Sequence, residues 1–470
     1  MSRFDVIVLG AGPGGYVAAL RAAQLDLRVA CVDERARPGG TCLNVGCIPS
    51  KALLDASARF AGARDALARY GVVVDAPGLD LEAMMARKDE AVEALTHGVS
   101  GLFEKHGIEH VAGRGRLGAA GEVVVRDEEG EERTLHGEHV ILAPGSVPVA
   151  LPDVDVDEER ILSSRGALAL GEVPEELVVV GAGYIGLELG SVWSRLGART
   201  ACIELTGGVL PGMDGELAER LQPILEAQGL EFQLGRKVVS AQAGEDGVDL
   251  AVAPADGDDG DAEERRATHL LVAVGRAPAT GELGLEEAGV ETDGNGFVRV
   301  DARFRTTAEG VFAVGDAIGE PMLAHKAQDE ALACVEALAG RGPGYVHYAS
   351  IPAVVYTEPE VASVGATEEA LEEEGVAYRV GRASFAHNPR AHCTGETEGF
   401  VKVLAAEEDD RLLGAHLIGP QAGTVVHEIV TAMKLGGTAE ELGRTCHGHP
   451  TFNEAVREAA LAVHGRPIHG

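Results

Sequence analysis

The chain has 470 residues, too many for one ordinary core, and an apolar share of 45%, which is that of a folded protein rather than a disordered one. Its formal net charge of −35, from 75 acidic against 40 basic side chains, excludes a phosphate-neutralising nucleic-acid surface. No uncharged apolar run reaches the roughly 18 residues of a membrane span, and seven cysteines are too few for a secreted disulfide framework.

The N-terminus, Met1 to Asp5, shows neither a basic leader nor a small-residue cleavage site and leads straight into an apolar strand, so the expected location is the cytoplasm. That strand, Phe4 to Leu9, runs into Gly10-Ala11-Gly12-Pro13-Gly14-Gly15, then a helix-like Tyr16 to Gln24, a strand Arg28 to Val32 and an acid, Asp33. A glycine triplet that follows a strand, opens a helix and is trailed by a carboxylate about 20 residues on is the dinucleotide fingerprint. Two glycines let the backbone turn and approach a pyrophosphate, the third lets helix press on strand, and the helix N-terminus offers oriented N–H groups.

Next comes Gly39-Gly40-Thr41-Cys42-Leu43-Asn44-Val45-Gly46-Cys47-Ile48-Pro49-Ser50-Lys51, which holds the one close cysteine pair; Cys31, Cys202, Cys334, Cys393 and Cys446 stand alone. A zinc site would want more ligands at metal spacing, and inert buried thiols would not need the flanking glycines and the helix start. A structural disulfide does not suit a cytosolic chain, which leaves a reversible redox disulfide. The following helix, Pro49 to Tyr70, points its partial positive charge at Cys47 and would lower that thiol's pKa. Lys51, one turn inside, is an exposed helix lysine or the partner of a carboxylate near the redox pair.

The acidic runs Glu128 to Glu132 and Ala243 to Glu264 are expected as solvated loops or hairpins. Between them the first pattern recurs: strand Leu177 to Val180, Gly181-Ala182-Gly183-Tyr184-Ile185-Gly186, helix Leu187 to Leu196, strand Thr200 to Ile203, acid Glu204. Two dinucleotide sites are implied. Leu270 to Pro278 is expected as a buried strand ending in a turn, and Gly310 to Asp316 as strand then glycine with an acid at the tip. Asp316 is either a turn or cap residue or an acceptor for cofactor hydroxyls. From about Tyr345 the pattern becomes alternating strands (Val354 to Tyr356, Phe400 to Leu404, Leu412 to Ile418) followed by helices, an α+β domain suited to subunit contact. In Cys446-His447-Gly448-His449-Pro450-Thr451-Phe452-Asn453-Glu454, Thr451 and Glu454 have capping-box spacing. Cys446 and His447 are expected as packing or hydrogen-bonding residues.

Gly39 to Lys51 resembles the redox-active segment of the flavoprotein disulfide reductases and, with Leu43, Ile48 and Ser50, is most similar to their dihydrolipoamide dehydrogenase branch. Gly181 to Trp193, Leu210 to Glu216, Val272 to Thr280, Ala313 to Asp316, Met322 to Ala327, Ile351 to Glu360 and His447 to Ala460 match in the same order, so the resemblance spans essentially the whole chain. It implies an α/β chain with two Rossmann-like dinucleotide-binding domains, for FAD and NAD, plus a C-terminal α+β dimerisation domain. Residues 1–150 and 272–344 would form the FAD-binding domain, 151–271 the NAD-binding domain and 345–470 the interface of a homodimer.

Carried over by position, the resemblance implies FAD contacts from Gly10, Gly12, Gly15, Asp33, Glu34, Gly40, Thr41, Cys42, Lys51, Gly115, Gly145, Ser146, Asp316, Met322, Leu323, Ala324 and His325. It implies NAD contacts from Gly181, Gly183, Gly186, Glu204, Val238 and Gly275. Cys42 would exchange with substrate, Cys47 would face the flavin, Glu188 would pair with Lys51, and His449 with Glu454 would form the acid–base couple, reaching the other subunit's disulfide. The implied reaction oxidises a protein-bound dihydrolipoyl group and reduces NAD+. Pro144 stands where the family has threonine, removing one hydroxyl near the flavin; Ala279, Thr424 and Pro389 are further departures.

Glu204 would accept ribose hydroxyls and repel a 2′-phosphate, and no Arg or Lys occurs between it and Arg220, which favours NAD and argues against a glutathione-type reductase. The tail Gly465 to Gly470 has no vicinal cysteines, which argues against a mercuric reductase. A non-catalytic flavoprotein is disfavoured by Cys42, Cys47, Lys51, Glu188, His449 and Glu454 occurring together.

Overall fold

Val6, Ile7 and Val8 have no solvent exposure, as expected of a strand with neighbours on both sides and helices over its faces. A computed structural model describes residues 3–257 and 261–469, and the chain divides into two units. One comprises Met1–Leu53, Glu82–Val149 and Gly275–Val346; the other comprises Leu54–Leu81, Ala150–Val274 and His347–Gly470. Among the described residues no helix is long and apolar enough to cross a membrane.

In the first unit, strands β1 (Arg3–Leu9) and β2 (Val29–Asp33) flank helix α1 (Pro13–Gln24) in sequence and pair in parallel, the right geometry for a crossover. The helix begins three residues before the expected Tyr16, with Pro13 in its first turn, where a missing N–H costs nothing. Strand Glu109–Ala112 extends the sheet beyond β2, and Glu132–Leu142 pairs with β1 in parallel. Val311–Ala313 then pairs with Glu132–Leu142, which brings the tip at Asp316 back to the first glycine sheet. The acidic run Glu128 to Glu132 lies at the hairpin between Glu122–Arg126 and Glu132–Leu142, as expected. Its core joins Ile7, Leu9, Val32, Val123 and Leu142.

The second unit holds a five-stranded parallel sheet in the order Leu230–Leu234, Arg199–Glu204, Glu176–Val180, His269–Val272, Ile161–Leu162. The chain's one tryptophan, Trp193, is fully buried on helix Tyr184–Leu196 and donates Nε1–H to Ala167 O at 3.1 Å, which satisfies its polar edge. The acidic stretch from Ala243 is mostly strand: Arg236–Gly244, Gly247–Pro254 and Glu263–Ala267 form an antiparallel meander whose inward Val248, Leu250 and Val252 are buried. Its residues 258–260 lie outside the described residues.

Leu270 to Pro278 is not one strand. It breaks after Val272, and Gly275, at φ +124°, turns the chain so that Arg276–Pro278 pairs separately with Ser146–Pro148. The C-terminal segment forms a five-stranded antiparallel sheet, Ala353–Val355, Glu360–Gly365, Leu412–Gly419, Phe400–Ala406, Tyr378–Ser384, covered by helices Ala422–Lys434 and Glu454–Ala462. Phe385 and Phe452 meet edge to face at 6.2 Å in its core.

Candidate functional site

The two glycine turns are near copies in space as well as in sequence. Gly10 and Gly181 both sit at φ +100°; a Cβ on Gly10 would meet Ala143 O at 2.1 Å, and one on Gly181 would meet Ala273 O at 2.4 Å. At Gly15 and Gly186 a Cβ would strike the carbonyl of the first glycine, at 1.7 and 1.9 Å. The middle glycine differs: a Cβ on Gly12 would approach only Gly40 Cα at 3.9 Å, and one on Gly183 nothing within 4 Å. None of the described residues requires glycine there, so the open side above each turn fits a pyrophosphate held against backbone N–H groups.

The trailing acids have a role the sequence did not disclose. Asp33 Oδ2 accepts from Ala11 N at 2.6 Å and Glu204 Oε2 from Ala182 N at 2.8 Å, so each carboxylate braces its own glycine turn. The other oxygens accept from Arg35 N (2.9 Å) and from Thr206 N (2.8 Å) and Oγ1 (2.9 Å). Each carboxylate oxygen has two lone pairs, so acceptor capacity for a ribose hydroxyl remains.

The cysteine segment is tied to the first turn by Gly39 N, which donates to Ala11 O at 2.7 Å. Helix α2 (Gly40–Val45) carries Thr41 and Cys42; Gly46 interrupts it, and helix α3 (Cys47–Asp65) begins at Cys47 itself, two residues earlier than Pro49. It ends at Asp65, with a separate 3₁₀ turn at Leu67–Tyr70. Cys47 thus occupies the helix N-terminus, the position that favours a thiolate. The hydrogen bond with Cys47 and burial push the Cys42 thiol far above its ordinary value, and Lys51 pulls the other way. Tyr16 on α1, unforeseen in the sequence, lies near Cys42; burial raises its phenol, and Gln328 Nε2, which donates to it at 3.0 Å, partly offsets this. A tyrosine directly after the glycine triplet was the available signal.

Elsewhere in the first unit, Asp316 lies in the 3₁₀ turn Gly315–Ala317, and its Oδ2 accepts from Ser146 Oγ at 2.5 Å. Gly145 lies at φ +76° and its carbonyl accepts from Ala279 N at 3.0 Å; Gly275 O accepts from Val149 N at 3.0 Å. Met322 and Leu323 lead into helix Ala324–Leu338, where Ala324 and His325 form the first turn. Gly115 is explained by packing, since a Cβ would meet Leu9 Cδ2 at 2.6 Å. Glu34 is exposed and pairs with Arg114 at 3.3 Å. In the second unit Val238 is buried with Val178 and Val180, and Glu188, 4% exposed, accepts from Tyr356 N at 3.0 Å.

His449 Nδ1 and Glu454 Oε1 are 2.9 Å apart, and Glu454 Oε2 accepts from Thr451 N at 2.9 Å. The capping box is only half formed. Thr451 Oγ1 donates to Gly448 O instead of accepting from the helix, whose N-cap is Asn453. Burial pushes the Glu454 carboxyl up, but His449 and the Thr451 N–H outweigh it and hold it below its ordinary value. His447 does make a polar contact as expected: its Nδ1 meets Thr445 O at 2.9 Å, and its Nε2 lies 2.6 Å from Glu428 Oε1.

Residues 4–331 match the family model described as pyridine nucleotide-disulphide oxidoreductase, and residues 351–460 match that family's dimerisation domain. The chain belongs to the pyridine nucleotide-disulphide oxidoreductases. This oxidoreductase is 50% identical to dihydrolipoyl dehydrogenase 3 of Pseudomonas putida, with 99% of each chain covered. It is 49% identical to the mitochondrial dihydrolipoyl dehydrogenase 1 of Arabidopsis thaliana over 99% of this chain and 91% of that protein. The crystal structure of LpdA from Mycobacterium tuberculosis superposes with a TM-score of 0.90 at 26% identity, covering 98% of this oxidoreductase and 99% of that chain.

Proposed function

We propose that the oxidoreductase is a dihydrolipoyl dehydrogenase that oxidises lipoyl-bearing proteins and reduces NAD+, acting in the cytoplasm as a homodimer. The observation that carries this reading is the Cys42 and Cys47 pair, hydrogen-bonded to each other at a helix N-terminus and tied to a dinucleotide turn. Full-length identity near one half to dihydrolipoyl dehydrogenases supports it. The match over residues 351–460 supports dimerisation.

The cofactors are FAD and NAD. Gly10, Gly12, Gly15, Asp33, Glu34, Gly40, Thr41, Lys51, Gly115, Gly145, Ser146, Asp316 and the stretch Met322 to His325 are assigned to FAD. Gly181, Gly183, Gly186, Glu204, Val238 and Gly275 are assigned to NAD, and Lys51 with Glu188 to an ion pair beside the flavin. Residues 1–150 with 272–344, 151–271 and 345–470 are assigned as the FAD, NAD and interface domains. When bound, FAD would supply two-electron transfer between the reduced Cys42 and Cys47 pair and NAD+.

His449 donates its Nδ1 proton to Glu454, which leaves Nε2 as the base. It removes a proton from one dihydrolipoyl thiol, and that thiolate attacks Cys42 Sγ. The Cys42–Cys47 bond breaks and Cys47 leaves as thiolate, stabilised by the helix N-terminus. The second lipoyl thiol attacks its neighbour in the mixed disulfide, which closes the lipoyl ring, and Cys42 departs and regains a proton. The carrier has lost two electrons and the cysteine pair has gained them. Glu204, with no Lys or Arg between it and Arg220, would select against a 2′-phosphate.

The deciding experiment is purification followed by an absorption spectrum and an assay of dihydrolipoamide oxidation with NAD+ and with NADP+. A yellow protein active with NAD+ is expected, with Cys47→Ser retaining flavin but losing turnover. Colourless protein, equal efficiency with NADP+, or full turnover by Cys47→Ser contradicts the reading.

A further inference from the structure

Asp316 is held by two distinct devices in the first unit. Its backbone loop is fixed by a fully buried ion pair: Lys326 Nζ meets Glu330 Oε1 at 3.0 Å and donates to Gly319 O at 3.0 Å, while Glu330 Oε2 accepts from Gly315 N at 2.7 Å. Its carboxylate is held by a different chain of contacts. Arg276 Nε donates to Ser146 Oγ at 2.7 Å and Nη2 to Ser146 O at 2.5 Å, and Ser146 Oγ donates onward to Asp316 Oδ2 at 2.5 Å. The pairing of Arg276–Pro278 with Ser146–Pro148 sets this geometry, because Arg276 stands opposite Pro148 and reaches diagonally across the ribbon to Ser146.

We infer that Arg276 is a positioning residue for the flavin: by gripping Ser146 at two atoms it fixes the hydroxyl that orients the Asp316 carboxylate. This rests on the assignment of Asp316 to the flavin. A serine hydroxyl has one proton to give, and with the guanidinium donating to its oxygen that proton must point away, toward Asp316. A charged donor on the same oxygen also strengthens the O–H as a donor. Oδ2 is thereby committed to Ser146, and Oδ1 is the oxygen presented to a cofactor hydroxyl. Because Lys326 and Glu330 hold the loop independently, loss of Arg276 frees the carboxylate's orientation without releasing its backbone.

The test measures FAD dissociation from the holoenzyme, followed by the fluorescence of released flavin, in Arg276→Met, Arg276→Lys, Ser146→Ala, Asp316→Asn and the Arg276→Met/Ser146→Ala double variant, with circular dichroism as the check on folding. Arg276→Met and Ser146→Ala are each expected to weaken FAD binding about tenfold. The double variant should be no weaker than the weaker single, and Arg276→Lys should recover part of the loss. Wild-type retention of FAD by folded Arg276→Met, or single losses that multiply in the double variant, overturns the inference. If Arg276→Met does not fold, Ser146→Ala decides: unchanged FAD binding there overturns it. Unchanged binding in Asp316→Asn defeats the assignment of Asp316 and the inference with it, whereas weakened Asp316→Asn beside unaltered Ser146→Ala defeats the inference alone.

Discussion

His449 Nδ1 and Glu454 Oε1 stand 2.9 Å apart, and the same carboxylate accepts the Thr451 N–H, so the residue that orients the imidazole is itself fixed by the turn entering its helix. The imidazole is left 69% exposed, which keeps Nε2 open to a thiol. His449→Gln should therefore fold normally and lower kcat by about 10²- to 10⁴-fold. Glu454→Gln keeps an acceptor but not the charge, and a fall of about tenfold is expected. Steady-state dihydrolipoamide assays check both; unaltered kcat in His449→Gln removes it from the chemistry.

The glycines of one turn should separate folding from coenzyme binding. Gly10→Ala forces a side chain into Ala143 O at positive φ and should destabilise the protein by about 2–4 kcal/mol. Gly183→Ala meets nothing within 4 Å, so stability should move by no more than about 0.5 kcal/mol while NAD binding weakens. Urea unfolding and NADH titration measure the two quantities. Undiminished NADH affinity in Gly183→Ala would sink the pyrophosphate assignment of that turn.

A buried cluster in the second unit should shape stability against pH. Lys402, 1% exposed, lies 2.5 Å from Asp214, 2.8 Å from Glu368 and 3.0 Å from Glu216. Fully buried His416 bonds Ser363 Oγ at 2.7 Å and Ala366 O at 3.0 Å, with Asp214 at 3.8 Å. Burial holds the imidazole pKa below its usual value, more than Asp214 and Glu369 raise it, and Lys402 adds to the lowering. The folded chain refuses a proton that the unfolded chain accepts below about pH 6.5, so this contribution is complete above that pH and declines as pH falls toward the folded pKa. For Lys402 burial lowers the pKa but the carboxylates prevail and raise it, so its contribution is complete below about pH 10.4 and is lost only in more alkaline solution. Lys402→Met, which strands Asp214, should cost about 3–5 kcal/mol at neutral pH. His416→Gln should flatten the acid decline; an identical acid limb in thermal melts at several pH values would contradict this assignment.

Both glycine turns, their strands and trailing acids, and the acid hairpin at Glu128 were legible because each is written locally, in residues adjacent in sequence. Strands Glu360–Gly365 and Tyr378–Ser384 were not, since Ala, Ser, Gly and Arg break their apolar alternation and only pairing with Leu412–Gly419 and Phe400–Ala406 makes them strands. The turn ending the strand at Leu270 was expected, but the separate pairing of Arg276–Pro278 with Ser146–Pro148 beyond Gly275 was not. At the candidate site, Cys42 and Cys47 announced themselves by spacing, whereas His449 and Glu454 came from the family resemblance, since Thr451 and Glu454 by spacing alone read as a capping box. Tyr16, Arg276 and the bracing by Asp33 and Glu204 depend on contacts between residues as far as 312 positions apart, as Tyr16 and Gln328 are, or on backbone N–H groups that carry no sequence signature.

The central claim is that Cys42 and Cys47 exchange a two-electron bridge with the substrate. Its most direct measurement is differential alkylation of the holoenzyme before and after anaerobic addition of dihydrolipoamide, with the labelled sites mapped by mass spectrometry. The account predicts that the gain in labelling falls on Cys42 and Cys47 while Cys31, Cys202, Cys334, Cys393 and Cys446 are unaltered. No gain at Cys42 and Cys47, or a gain confined to other cysteines, contradicts it.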